Sequence, residues 1–272
     1  MDERERDPRP IGIFDSGVGG LTVLAELARR FPGESFIYLG DTARVPYGAK
    51  SARTVERYTL QAASFLLNKG VKAMVAACNT ASALGLAALR AAEPHLPVLG
   101  VIQPGCRAAV ATTRSHRVGV IGTRSTVASG AYPDALALLE PRIRAVALAC
   151  PLFVPLAEEG WLDHPATRLI VAESLAPLRH EGVDALILGC THYPLLAPII
   201  AEVMGEGVAL VDSASAVADE LEQRFIDVIL PAPEGRPQRM DYLVTDIPDR
   251  FVEMARRILP GLPVHGVEMV DL

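Results

Sequence analysis

Long apolar runs are missing from this 272-residue sequence. No stretch reaches the roughly 18 uninterrupted apolar residues of a membrane-spanning helix, so no span is expected. Residues Met1 to Pro10 alternate Asp, Glu and Arg, and neither an export signal nor a transit peptide is expected from them. Cysteine is scarce. Its four thiols, without a secretory context, read as free thiols in a reducing compartment, and the expected location is cytoplasmic. Lysine is confined to Lys50, Lys69 and Lys72. Lys69 and Lys72 read as helix-end residues, leaving Lys50 alone for a pyridoxal Schiff base. Positive charge is not in excess: 26 cationic against 32 acidic side chains give a net −6. That balance disfavours a broad nucleic-acid or anionic-membrane surface. Metal-ligand spacings are lacking as well. There is no C-x-x-C or H-x-H, and His180-Glu181 opens an H-E-x-x-H only to meet Asp184, so no metal site is expected.

What is present is an ordinary globular composition, half apolar and about one-fifth charged. Short β-branched runs alternate with Ala/Leu-rich helical patterns. The spacing predicts strands at Ile11–Phe14, Ser35–Leu39, Ala73–Ala77, Val98–Ile102, Arg117–Ile121, Arg144–Ala149, Ala185–Leu188, Ala209–Val211 and Tyr242–Val244. Helices are expected at Leu21–Arg30, Ala52–Lys69, Ser82–Ala91, Gly105–Thr113, Ser125–Leu139, Pro165–Arg179, Pro194–Met204, Ala214–Ile229 and Asp249–Leu259. Alternation of this kind implies α/β architecture with parallel sheets, which bind ligands beyond the carboxyl ends of their strands.

A faint repeat runs through the chain. Gly12-Ile13-Phe14-Asp15 is echoed 107 residues later from Gly119, and Ala77-Cys78-Asn79-Thr80 is echoed at Gly189-Cys190-Thr191-His192, 112 residues from cysteine to cysteine. Two similar lobes explain the near-equal offsets. The expected division is residues 1–99 plus 211–272 for one lobe and 100–210 for the other.

Cys78 and Cys190 each end an apolar strand and open a helix, with Pro194 suited to an early helical position. Backbone N–H groups and the helix dipole there are expected to lower a thiol's pKa from roughly 8.5. The commonest fate of a free cysteine is a small buried hydrophobe; Cys106 and Cys150 keep that reading because neither shares the pattern. Asp15-Ser16-Gly17-Val18-Gly19-Gly20 is placed like a phosphate loop. It lacks the third glycine of a dinucleotide fingerprint, where Thr22 stands, and the Lys of a P-loop. Asp15 and Ser16 read either as turn and capping residues or as contacts to a carboxylate and an ammonium. Asp41-Thr42-Ala43-Arg44-Val45-Pro46-Tyr47-Gly48 gathers a charge pair and a Tyr-Gly step after a strand, where binding residues are common.

These segments, FDSGVGGLTV, LGDTARVPYG, ACNTAS and GCTHYPLL, together with VPLAEEG and VDSASAVA, closely resemble the glutamate racemases of the aspartate/glutamate racemase superfamily. The match runs from residue 11 to about 218. Gln103 and Cys106 depart from it in a less diagnostic stretch. The resemblance implies two lobes related by pseudo-twofold symmetry, with the site in the cleft between them and neither pyridoxal phosphate nor metal. It implies Cys78 and Cys190 as the catalytic pair, assisted by Asp15 and His192. Asp15, Ser16, Tyr47, Gly48, Asn79, Thr80, Thr191 and His192 would bind the substrate, glutamate, and Asp41 and Glu158 match acidic positions of auxiliary role. A homodimer is the expected assembly, and D-glutamate for peptidoglycan the expected purpose.

Racemisation removes the Cα proton from one face and returns one to the other, so two bases must flank Cα, one thiolate and one thiol. Three other readings stand beside this one. An aspartate racemase is disfavoured by His192, since those enzymes typically have Glu after the equivalent Cys-Thr. A two-lobed amino-acid-binding protein would have no use for two cleft thiols. A pyridoxal enzyme would have to rely on Lys50.

Overall fold

The computed structural model describes residues 6–258, 261 and 264–272. Its strands are β1 (Ile11–Asp15), β2 (Phe36–Gly40), β3 (Ala73–Ala76), β4 (Val98–Gly100), β5 (Arg117–Gly122), β6 (Arg144–Ala149), β7 (Ala185–Gly189), β8 (Ala209–Val211), β9 (Met240–Val244) and β10 (Glu268–Met269). They form two sheets, with orders β10-β9-β2-β1-β3-β4 and β6-β5-β7-β8. Every pairing is parallel. Strands buried on both faces read as continuous apolar runs, and every residue of β1, β2, β3 and β7 is buried.

The same permutation appears twice. β2-β1-β3-β4 in one sheet corresponds to β6-β5-β7-β8 in the other, the architectural form of the repeat read in the sequence. β9 and β10 then extend the first sheet beyond β2. The two lobes share one apolar core between their sheets, built from Leu24, Tyr38, Val75, Val120, Ile187, Leu221 and Phe251 among others. Separate clusters cover the outer faces, around Leu66 and Met74 on one side and Phe153 and Leu188 on the other. Each fully buried Leu or Phe is worth about 1.5–3 kcal/mol. Dividing the larger core between the sheets joins the lobes while leaving their strand ends facing one cleft.

Several elements differ from expectation. The strand expected at Val98–Ile102 stops at Gly100, and Ile102 opens the helix Ile102–Thr112. The helix expected at Ser82–Ala91 begins earlier, as Asn79–Leu84 followed by Leu86–Ala92, because the Cys78 sulfur caps it by accepting from the Ala81 N–H. The single helix expected at Ser125–Leu139 is two, Arg124–Ala128 and Ala131–Leu139. The short helix Phe153–Glu158 and strand β10 carry too few residues for their periodicity to show. The last expected helix is Pro248–Ile258; Leu259 lies outside the described residues. Lys72 is no helix-end residue. It is buried before β3, paired with Glu34 at 2.7 Å and donating to the Asp7 and Leu230 carbonyls. Among the described residues no helix is long and apolar enough to cross a membrane.

Candidate active site

The turn after β1, the end of β3 and the end of β7 converge on one small cavity. Ser16, Tyr47, Gly48, Cys78, Asn79, Thr80, Cys190, Thr191 and His192 line it, joined by Thr123 and Glu158. The nine residues were read from four separate segments, and folding brings all nine together. The cavity is about 40 Å³, against several hundred for a typical ligand pocket, so the cleft is closed. A larger cavity of about 220 Å³ lies elsewhere, beside Arg90, Gln103 and Arg107. It contains neither thiol, and chemistry rather than size locates the site.

The two sulfurs have different neighbours. Cys78 Sγ lies 3.7 Å from Ser16 Oγ and accepts from the Ala81 N–H at 3.5 Å. Cys190 Sγ lies 3.9 Å from His192 Nδ1, and His192 Nε2 lies 3.0 Å from Glu158 Oε1. Asp15 is buried beneath the cavity, accepting from the Gly17 N–H at 2.9 Å and from Thr191 Oγ1 at 3.3 Å. That last bond ties the β1 turn to the loop after β7.

Burial changes the expected thiol chemistry. It pushes the Cys78 thiol up to about 12, and the nearby Asp15 charge adds to the effect. The Ala81 N–H and Ser16 act in the opposite direction and do not prevail. The lowering expected from the helix N-terminus is therefore outweighed by desolvation. Burial also raises Asp15, against the opposing pull of His192 and the surrounding N–H groups. His192 shows the reverse contest. Burial works to lower it, but hydrogen bonds to Cys190 and Glu158 and the charge they carry bring it up to about 10. Glu158 is lowered: burial opposes this, while the His192 hydrogen bond and charge, with Arg250, overcome it. The Cys190 side thus carries an imidazolium–carboxylate pair through neutral pH.

Asp41 stands one step removed from the cavity, whereas Asn79 lines it with its amide engaged elsewhere. Asp41 accepts from Tyr47 Oη, from Arg44 Nε and from Thr245 Oγ1, fixing the Tyr47-Gly48 step from behind. The pair with Arg44 is therefore one part of a bracket that also joins Thr245, the residue after β9. Asn79 donates from its amide to Tyr132 Oη at 2.7 Å, across the lobes, and to Ser213 Oγ at 3.2 Å. Thr123 is a lining residue that the sequence reading missed. It shares a hydroxyl cluster with Thr80 and Thr126 at 2.9–3.0 Å. Its position just after β5, equivalent to the β1 turn, was the available signal.

The glycine-rich turn is shaped by the opposite lobe. A Cβ at Gly19 would fall 2.4 Å from Thr191 Oγ1 and 2.6 Å from His192 Nδ1. Only a residue without a side chain lets the β7 loop seat against this turn.

Comparison with known proteins agrees with this layout. Residues 14–221 match the family described as Asp/Glu/Hydantoin racemase. A glutamate racemase of Syntrophus aciditrophicus is 48% identical over 272 residues, covering all of both chains. The crystal structure of a glutamate racemase isoform from Bacillus anthracis superposes with a TM-score of 0.92 at 40% identity, over 97% of this chain and 98% of that one. A glutamate racemase from Francisella tularensis, solved in complex with D-glutamate, gives 0.90 at 35% identity over 97% and 98%. The chain belongs to the Asp/Glu/hydantoin racemase family.

Proposed function

We propose that this chain interconverts L- and D-glutamate by two-base proton transfer at Cα, with Cys78 and Cys190 on opposite faces of the substrate. The observation that carries the reading is one cavity lined by two thiols from equivalent strand ends, each with its own proton partners. In one direction Cys190 is the thiolate, with the His192 imidazolium beside it, and Cys78 is the thiol that returns a proton to Cα. In the other direction the roles reverse, Cys78 taking the proton as thiolate and Cys190 returning one as thiol. Ser16, Thr80 and Thr191 hydroxyls and the loop N–H groups suit the α-carboxylate, whose interactions stabilise the carbanion in a dry site. Asp15 suits the ammonium, and a substrate cation there would also ease thiolate formation at Cys78. No cofactor takes part in this scheme. Opening of the lobes admits substrate, and closure excludes water.

The lobes are taken as residues 1–99 plus 211–272 and 100–210, a division supported by which strands share a sheet. A homodimer, a cytoplasmic location and the supply of D-glutamate for peptidoglycan belong to the same proposal. Circular dichroism of L-glutamate and L-aspartate incubated with the protein tests the substrate. The glutamate signal is expected to decay to zero and the aspartate signal to persist; racemisation of aspartate alone would assign the chain to the sister activity.

Glu158→Gln gives a pH-dependent result. It removes the charge that opposes burial at His192, so the imidazolium loses its proton at lower pH. The basic limb of kcat/KM, expected near pH 10 in the natural protein, moves toward neutrality. The linked stability has the same sign. His192 stabilises the fold fully below its unfolded value of about 6.5, and that contribution is lost as pH rises to about 10. A basic limb unmoved by the substitution removes His192 from the proton chain.

A further inference from the structure

Helix Pro248–Ile258 follows β9 and is rooted in the shared core by Phe251 and Ala255. Its polar side reaches the segment that carries Glu158. Arg257 donates from Nη1 to the Glu158 carbonyl oxygen at 2.9 Å and from Nη2 to Glu253 Oε1 at 3.2 Å. Glu158 ends helix Phe153–Glu158, so this carbonyl is among those left without a helical partner, at the end of the dipole where a cation is favourable. The loop is fitted to the contact. Gly160 has φ +73°, and a Cβ there would lie 3.0 Å from Arg257 Cδ and 3.1 Å from Nη1. Arg250, on the same helix, lies with the Glu158 side chain in a cavity of about 100 Å³.

The two ends of Glu158 therefore serve two lobes. Its carboxylate holds His192, which faces Cys190, while its carbonyl is held by a helix that follows a strand of the other sheet. Cys78 has its hydrogen-bond partners, Ser16 and Ala81, on segments of its own sheet. We propose that Arg257 is a positioning residue for the proton transfer at Cys190, aligning the Glu158–His192–Cys190 chain across the closed cleft. This inference rests on the two-thiol reading of the site.

Arg257→Met tests it. L- and D-glutamate have equal free energies, so kcat/KM must fall by the same factor in both directions, roughly fivefold for one lost hydrogen bond. That fall alone does not separate positioning from loosening. The isotope effects with Cα-deuterated L- and D-glutamate do. A slower step at Cys190 raises the effect for the enantiomer whose Cα hydrogen faces Cys190 and lowers it for the other. Gly160→Ala crowds Arg257 without removing it and is expected to give the same opposed shifts, which also decides the matter should the Met variant not fold. Arg257→Lys, keeping a donor, recovers part of them. A fall in turnover with the ratio of the two isotope effects unchanged overturns the proposal, as does no change at all. Failure of the two-thiol reading itself shows separately, as D-glutamate that forms from L-glutamate in deuterated water yet retains the substrate's own Cα hydrogen.

Discussion

Gly19→Ala is expected to lower kcat/KM about a hundredfold while leaving the fold in place. The added carbon would meet Thr191 Oγ1 at 2.4 Å, His192 Nδ1 at 2.6 Å and His192 Cε1 at 2.7 Å. Neither neighbour is free to swing aside: Thr191 is bonded to Asp15, and His192 to Glu158. The cleft must instead open by something on the order of 1 Å, a displacement that can reduce a proton transfer about 10²-fold. Gly19 is buried where the turn after β1 meets the loop after β7, so the strain falls on the contact between the lobes rather than inside either one, and the melting temperature should stay within a few degrees. Steady-state racemisation beside thermal unfolding checks both halves. Natural-protein kcat/KM in Gly19→Ala would mean that the closed cleft is not the reacting state.

The same contact gives the glycine-rich turn its purpose. A phosphate loop offers glycines so that backbone N–H groups can reach an anion. Here Gly19 makes room for another part of the same chain, and Thr22 stands where a dinucleotide fingerprint needs glycine.

What the sequence discloses is local. A strand ending on a cysteine that opens a helix can be read within ten residues, and it occurs twice; so do the Asp15-Ser16 and Tyr47-Gly48 turns. These segments reach a common cavity because parallel strands bring their carboxyl ends to one side. What it hides is non-local. The buried Lys72–Glu34 pair joins residues 38 positions apart, and the Asp41–Thr245 bond spans 204. No periodicity anticipates either. The thiol chemistry shows the same limit. A helix N-terminus is visible in sequence and argues for a lowered Cys78 pKa, but the burial that pushes it up to about 12 is a property of the packed cleft. Thr123 went unread because its segment carries no cysteine, although it occupies the place after β5 that the β1 turn occupies in the first lobe.

The repeat also conceals an inequality. Two lobes of matching strand order deliver two thiols to one cavity, yet only Cys190 has a histidine within 3.9 Å, backed by a carboxylate. Cys78 depends on a hydroxyl, an N–H group and a buried Asp15 raised by its own desolvation. In the proposed scheme the symmetric reaction thus falls to an asymmetric pair, with an imidazolium on one side and a thiol awaiting the substrate's ammonium on the other.

Cys78→Ser and Cys190→Ser carry the largest expected losses. A serine hydroxyl is a far weaker acid than a thiol, and removing a positioned base costs on the order of 10³-fold or more. Each variant is expected to lose racemisation in both directions, because in the proposed scheme every turnover uses both sulfurs. Each retains the opposite sulfur, and with it slow exchange of the Cα hydrogen of one enantiomer with solvent: the exchanging enantiomer must differ between the two variants. The most direct measurement is early-time conversion of L-glutamate by the natural protein in deuterated water. Two opposed thiols predict D-glutamate carrying solvent deuterium at Cα while the remaining L-glutamate keeps its original hydrogen. D-glutamate that retains the substrate's own hydrogen would mean a single base serving both faces, and would contradict the account.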